Sequence, residues 1–148
     1  MITEIFTSAT VGVDAYTIRV ETHIENMNKG AFTVVGLPDN TVKESRDRVS
    51  AAIKNSGFVF PSTQKITINL SPADIKKEGS GLDLPIAVAL LTESGQIEPD
   101  KIRNFVILGE LSLDGKLRSV SGALPIAIEA GKRNFDGIIL PKVNGDEA

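Results

Sequence analysis

The sequence predicts an α+β fold in which helices pack on one face of a mixed β-sheet. Three observations support this: short segments of alternating apolar residues fill the first third of the chain, a later segment has helical apolar spacing, and a third is continuously apolar. At 148 residues the chain has the length of about one domain, and its charged fraction of 24% is not that of a disordered chain. We therefore expect a single domain over residues 1–148.

The first third predicts three strands, and the turn residues between them favour an antiparallel sheet. These strands are expected at Ile2–Phe6, Tyr16–Ile24 and Phe32–Val35. A helix over about residues 40–56 follows, with Gly57 as its stop. Its amino terminus fits a capping box of Thr41 and Glu44, or a cap by Asp39.

The second half alternates strands and helices. The apolar run Leu84–Leu91 predicts the most buried helix, because it is apolar on nearly all sides. The other expected elements are a strand at Lys65–Leu70, a strand at Phe105–Leu108, a hairpin at Glu110–Val120 turning at Asp114-Gly115, a helix from Leu124 that closes within Gly131–Phe135, and a strand at Gly137–Pro141. The predicted core is Ile18, Val20, Val34, Val49, Ile53, Ile66, Ile68, Leu84, Ile86, Leu90, Ile107, Ile126 and Ile139.

Composition excludes several kinds of chemistry. The chain has no cysteine, so disulfides, thiolate nucleophiles and cysteine-based zinc sites are excluded. Its only histidine, His23, falls on the polar side of a predicted strand, where we expect it to face solvent. The net charge of −3 provides no global attraction to phosphate. No apolar run approaches the ~20 residues that cross a bilayer, so we expect a cytoplasmic protein without a membrane partner.

No nucleotide-binding loop is present. The sequence Ala130-Gly131-Lys132-Arg133 lacks the Ser or Thr that would hold magnesium. The carboxylates of Asp74, Glu78 and Asp83 allow a metal or acid–base site, but a solvated loop carries such charges as a matter of course.

Several segments, in order and over almost the whole chain, resemble the amino-terminal Lon-protease-like domain of the bacterial ComM and magnesium-chelatase-like AAA+ ATPases. They are Val35-Gly36-Leu37-Pro38-Asp39 through Val49, Lys54-Asn55-Ser56-Gly57-Phe58, Ile68–Asp74, Lys77-Glu78-Gly79 with Asp83–Ala87, Gly109–Arg118 and Leu140-Pro141-Lys142. The resemblance implies the superfold shared by the Lon proteolytic domain and the second domain of ribosomal protein S-five.

The resemblance also implies what the protein does. In this family the domain precedes an ATPase module, which holds ATP and magnesium and forms a ring of subunits, and members such as ComM are associated with DNA branch migration in natural transformation. The chain ends without a convincing linker, so we expect a piece of a longer protein. The expected role is a non-catalytic accessory domain with no cofactor of its own, whose partners are the ATPase module of the same chain, further copies of the parent and possible DNA.

Lon uses a serine and a lysine, and neither is found at the matching positions. The nucleophile position falls at Gly81 and the lysine position at Leu124. An alternative is a Lon-like serine peptidase that uses Ser80, with Lys116 or Lys132 as the nearest bases in the sequence. We predict no catalytic residue.

A second alternative is an independent nucleic-acid-binding module. Acidic Glu44, Asp47 and Glu78 interleave with its bases, and such mixing is typical of a solvated helix face. The candidate DNA or partner surface consists of Lys43, Arg46, Lys54, Lys76 and Lys77, with Lys65 nearby.

Overall fold

The computed structural model describes residues 3–26, 29–72 and 80–147. The strands are β1 (Thr3–Val11), β2 (Asp14–Glu25), β3 (Ala31–Val35), β4 (Lys65–Ser71), β5 (Phe105–Ile107), β6 (Glu110–Leu111), β7 (Leu117–Arg118) and β8 (Gly137–Ile139). The α-helices are α1 (Asp39–Asn55), α2 (Asp83–Glu93) and α3 (Ala123–Lys132), and short 3₁₀ turns lie at Ser80–Leu82, Pro99–Lys101 and Lys142–Asn144. The predicted order of elements is confirmed, although Ile2, the predicted start of the first strand, lies outside the described residues.

Six strands form one mixed sheet in the order β3-β4-β2-β1-β5-β8, and β6 pairs with β7 in a separate hairpin. The pairs β1–β2 and β2–β4 are antiparallel, whereas β3–β4, β1–β5 and β5–β8 are parallel. The predicted antiparallel arrangement of the first third is therefore wrong for β3. This strand joins β4 in parallel at the sheet edge, because α1 carries the chain across between them.

The prediction that the helices share one face of the sheet is also wrong. Helices α1 and α2 pack on the face formed by Ile18, Val20 and Ile107, which we call the core face. Helix α3 places Ile126 and Ala130 against Val106. Neighbouring strand residues point to opposite faces, so Val106 and Ile107 assign α3 to the other side of the sheet, the α3 face.

The core is close to the predicted one. The buried members are Ile18, Val20, Val34, Val49, Ile53, Ile66, Ile68, Ile86, Leu90, Ile107 and Ile126. Leu84 is only half-buried, and Ile139 is 36% exposed because it ends β8, an edge strand with a partner on one side only.

Helix α1 begins and ends close to prediction, but its cap differs. Pro38 occupies the N-cap position with an extended backbone, and no side chain caps the helix. The predicted capping box of Thr41 and Glu44 is therefore wrong. Gly57, with φ of +86°, follows the helix and adopts the left-handed conformation that suits a helix stop.

Candidate functional site

A cleft opens where β1 extends past the end of β5. We call it the β1 cleft, and its volume is about 440 Å³. One wall is β1, the base is the 3₁₀ turn before α2, and the opposite wall is the segment that leads into α3. The lining residues are Ser8, Ala9, Thr10, Gly81, Leu82, Leu108, Glu110, Ser119, Val120, Ser121 and Ile126.

The cleft exists because β5 ends at Ile107, and the main chain that follows no longer runs beside β1. The amide of Leu108 donates to the carbonyl of Ile139 at 2.9 Å, which continues the pairing of β5 with β8. The amide of Gly109 then donates to the carbonyl of Gly81 at 2.9 Å. Gly109 allows this close approach, since a Cβ there would lie 2.9 Å from Leu117 Cδ2.

The structure places the two positions matched to the Lon serine and lysine in different surroundings. Gly81 lines the β1 cleft, and a Cβ there would meet Val120 Cγ1 at an ordinary 3.5 Å. The space for a nucleophile is therefore present, and the side chain is not. Leu124 lies on α3 with 49% of its surface exposed and does not line the cleft.

The described lining of the cleft carries hydroxyls and one carboxylate, that of Glu110, but no lysine or histidine. Ser80 belongs to the 3₁₀ turn at the base, and its side chain lies outside the described part of the structure. Lys116 and Lys132, the bases considered for Ser80, are both exposed and lie outside the lining.

A buried polar cluster around Asp83 lies beside the cleft. The Asp83 carboxylate is 1% exposed and accepts hydrogen bonds from Arg48 Nε at 2.7 Å and Arg48 Nη2 at 3.1 Å. The Ser45 hydroxyl donates to it at 2.9 Å and the amide of Leu111 at 3.2 Å. One carboxylate thus joins α1, α2 and the β6–β7 hairpin.

The contacts of this cluster shift the pKa of Arg48. The hydrogen bond to Asp83 raises the pKa of the Arg48 guanidinium above its ordinary value, against the opposing effect of burial. A raised pKa means that the stabilisation is present below the ordinary arginine value and is lost only above the raised one. Arg48 therefore stays charged throughout the physiological pH range.

Sequence reasoning missed this role of Asp83. It grouped Asp83 with Asp74 and Glu78, which lie outside the described residues, as a possible metal or acid–base site. The available signal was an acidic residue directly before an apolar helix, with an arginine in the preceding amphipathic helix. The described residues contain no group of three His, Asp or Glu side chains arranged to hold a metal ion.

Only part of the predicted basic surface lies among the described residues. Lys43 and Arg46 are exposed on α1 and line a shallow groove with Asp39 and strand β3. Lys54, near the other end of the same helix, lies with its Nζ 5.9 Å from the centre of the Phe60 ring. Lys65 is half-buried on β4, and Lys76 and Lys77 lie outside the described residues. Whether these bases form one surface stays a prediction.

His23 is half-buried rather than fully solvated. Its Nε2 atom lies 3.1 Å from Glu25 Oε1, and its Nδ1 atom lies 3.9 Å from Glu93 Oε2. The Glu93 side chain also accepts a hydrogen bond from the Thr3 hydroxyl at 2.8 Å. His23 therefore belongs to a polar contact between β2 and the end of α2, away from the β1 cleft.

Among the helices that the structure describes, none is long and apolar enough to span a membrane.

Fold and cleft together define the class: an α+β domain on a mixed six-stranded sheet, with Gly81 in the lining of the β1 cleft. Residues 20–144 match the protein family described as subunit ChlI of Mg-chelatase. The chain belongs to this family, and the resemblance predicted from its sequence is confirmed.

Three relatives agree with this assignment. The YifB protein of Escherichia coli is 51% identical over 143 residues, which is 97% of this chain and 28% of that protein. The competence protein ComM of Haemophilus influenzae is 42% identical over 144 residues, again 97% and 28%. The YifB protein of Salmonella typhimurium is 53% identical over 126 residues, 85% of this chain and 24% of that protein. The chain thus spans about a quarter of the length of these relatives.

Proposed function

We propose that the chain is a non-catalytic accessory domain of a larger magnesium-chelatase-like AAA+ ATPase that acts in DNA branch migration during natural transformation. One observation carries the non-catalytic part: Gly81 lines the β1 cleft with room for a side chain but has none, and the described lining offers no lysine or histidine. A serine–lysine peptidase needs a nucleophile and a base within hydrogen-bond reach of each other.

The relatives support the remainder of the proposal. A chain that covers 28% of a related protein leaves most of that polypeptide for other domains. The family description names a subunit of Mg-chelatase, which favours an ATPase with bound ATP and magnesium in the remaining part of the parent. The ComM relative is named as a competence protein, which favours natural transformation as the process. The parent would then be a cytoplasmic homo-oligomer.

We further propose that the domain has the superfold of the Lon proteolytic domain and of the second domain of ribosomal protein S-five. The mixed sheet, and the position of Gly81 at the turn before the buried helix α2, support this assignment. A shared superfold does not determine a shared function, so the site residues carry the functional argument.

The test uses the full parent protein and measures ATP hydrolysis, migration of a synthetic DNA junction and cleavage of a peptide substrate. Removal of residues 1–148 should slow junction migration at least about tenfold while ATP hydrolysis changes less than about threefold. Junction migration at an unchanged rate would contradict an accessory role in this process.

The Ser80 alternative has its own test in the same protein. Ser80→Ala should leave ATP hydrolysis and junction migration within about twofold of the parent, and the parent should cleave no peptide. Ser62→Ala is the matched control, because Ser62 is an exposed serine on a turn outside the cleft. Peptide cleavage that is lost in Ser80→Ala and kept in Ser62→Ala would establish the peptidase instead.

A further inference from the structure

Among the residues that the structure describes, the edge of β1 that faces β5 has main-chain groups beyond Phe6 without a partner strand. Strands β1 and β2 are joined by the two-residue turn Gly12-Val13, with φ of +63° at Gly12 and Val11 opposite Asp14. Gly12 has a positive φ and Val13 does not, which is the pattern of a type II′ turn. In such a hairpin the residues next to the turn exchange both hydrogen bonds, so Val11 bonds to Asp14.

Hydrogen-bonded pairs alternate along an antiparallel ladder. Val11, Ala9 and Thr7 therefore direct their main-chain groups toward β2, while Thr10 and Ser8 direct theirs to the opposite edge of β1. On that edge β5 has only one residue in register with β1, the pair Phe6 and Val106. Beyond it the pairing with β1 stops, and the amide of Gly109 bonds instead to the carbonyl of Gly81. Within the described ranges, no strand pairs with Thr10 on this side.

The free edge faces the β1 cleft. Ser8, Ala9 and Thr10 form one wall, and the volume of about 440 Å³ lies in the range of about 300–1,000 Å³ typical of binding sites. An unpaired strand edge next to an open cleft is a template for an added strand, whose main chain provides the affinity. The occupant that suits this geometry is an extended peptide.

The opposite wall is held by residues that follow β8. Asn144, which is 4% exposed, donates from Nδ2 to the Val120 carbonyl at 3.0 Å and accepts from the Val120 amide at 3.0 Å. Its Nδ2 also lies 2.6 Å from Glu147 Oε1. Val120 lines the cleft, so these contacts place Asn144 beside the cleft wall and Glu147 next to Asn144.

We propose that the β1 cleft binds an extended segment of the parent polypeptide that follows residue 148, which pairs as a strand with Thr10. This proposal depends on the proposed function, in which the domain is part of a longer chain. The chain covers 28% of the length of the YifB and ComM relatives, so the rest of such a protein is long enough to supply this segment. A segment tethered beside its site by a short linker has a millimolar effective concentration, so a few main-chain bonds suffice for occupancy.

The experiment is amide-resolved hydrogen exchange on the full parent protein. The Thr10 amide should exchange at least ~100-fold more slowly than the amide of Val13, which lies in the turn and is 87% exposed. Thr7 and Ala9, whose amides bond to β2, report the stability of the hairpin itself. A Thr10 amide that exchanges as fast as that of Val13 while Thr7 and Ala9 are protected would overturn the proposal.

A variant that fills the cleft identifies where the pairing occurs. Ser121→Trp places an indole on an exposed residue of the cleft wall and should abolish the protection of Thr10 without affecting Thr7. Ser62→Trp, exposed and outside the lining, is the control and should leave Thr10 protected. Ser119→Trp is a second cleft variant that does not depend on tolerance at Ser121. Protection that survives both cleft variants would overturn the proposal.

Varying the concentration of the parent protein tests whether the added strand comes from the same polypeptide or from another copy. Protection within one polypeptide is independent of parent concentration once the oligomeric state is fixed, whereas protection that falls on dilution to monomers would assign the strand to another copy and overturn the proposal. The result is separable from the proposed function. An unprotected Thr10 in a parent whose junction migration still requires residues 1–148 removes only this inference, whereas a protected Thr10 with migration independent of the domain removes only the proposed function.

Discussion

At the scale of single residues, the Asp83 carboxylate joins three elements through its hydrogen bonds. It accepts hydrogen bonds from two side chains and one amide, on α1 and on the β6–β7 hairpin, while it is itself almost fully buried. A buried charge is tolerated only when it is paired and hydrogen-bonded. The sequence revealed the charge but not its partners, because Arg48 and Leu111 lie far from Asp83 along the chain.

Asp83→Ala should lower the free energy of unfolding by about 3 kcal/mol or more, near the lower end of what removing one partner of a buried ion pair costs. The lower end applies because the Arg48 side chain is 26% exposed and gains some hydration once its partner is removed. Ser45 and the Leu111 amide also lose their acceptor. A urea titration of wild type and variant measures the difference.

The matched control is Asp47→Ala, one residue before Arg48 on the exposed side of α1. A surface substitution of this kind should stay within about 0.5 kcal/mol of wild type. Equal effects for the two aspartates would mean that the cluster contributes nothing beyond an exposed charge.

At the scale of secondary-structure elements, periodicity predicted which segments form helices but not which face they cover. The crossovers from β3 through α1 to β4 and from β5 through α3 to β8 join parallel strands and step in the same direction across the sheet. Their helices lie on opposite faces, so the two crossovers have opposite hands and one is left-handed. Since about 98% of such connections are right-handed, sequence reasoning had no basis to expect this.

Leu90→Ala should lower the free energy of unfolding by about 2–5 kcal/mol, because Leu90 is fully buried in α2 and its removal leaves a cavity between this helix and the sheet. Leu124→Ala on α3 is the matched control. Leu124 is 49% exposed, so the same truncation should cost less than about 1 kcal/mol there. Denaturant titrations of both variants give the comparison, and a small loss for Leu90→Ala would show that α2 is not the centre of the core.

At the scale of the whole molecule, the sequence predicted the order of elements and most of the core. It did not predict the β1 cleft. The cleft depends on β1 pairing with β5 at Phe6 and Val106, a contact between distant parts of the chain. It also depends on the departure of Gly109 toward Gly81. Alternating apolar residues identify a strand, but its partner, and the point at which pairing stops, follow from the assembled sheet.

The distribution of charge over the molecule argues against α1 as the principal DNA contact. Lys43 and Arg46 share their groove with Asp39, and Asp47 follows directly on the exposed side of the helix. Reversing both bases, as Lys43→Glu with Arg46→Glu, should therefore change the DNA affinity of the parent by less than about threefold and alter the salt dependence little. Fluorescence anisotropy with a labelled duplex at several salt concentrations provides the measurement.

Lys76→Glu with Lys77→Glu is the comparison, because it reverses two adjacent bases of the same predicted surface. Each phosphate contact that is lost should reduce the slope of log affinity against log salt by about 0.9 on duplex DNA. A loss of slope confined to the Lys76 and Lys77 variant would locate the DNA contact in the segment of the chain before α2. A larger loss for the Lys43 and Arg46 variant would instead place DNA along α1 and show that the acidic side chains there do not offset its bases.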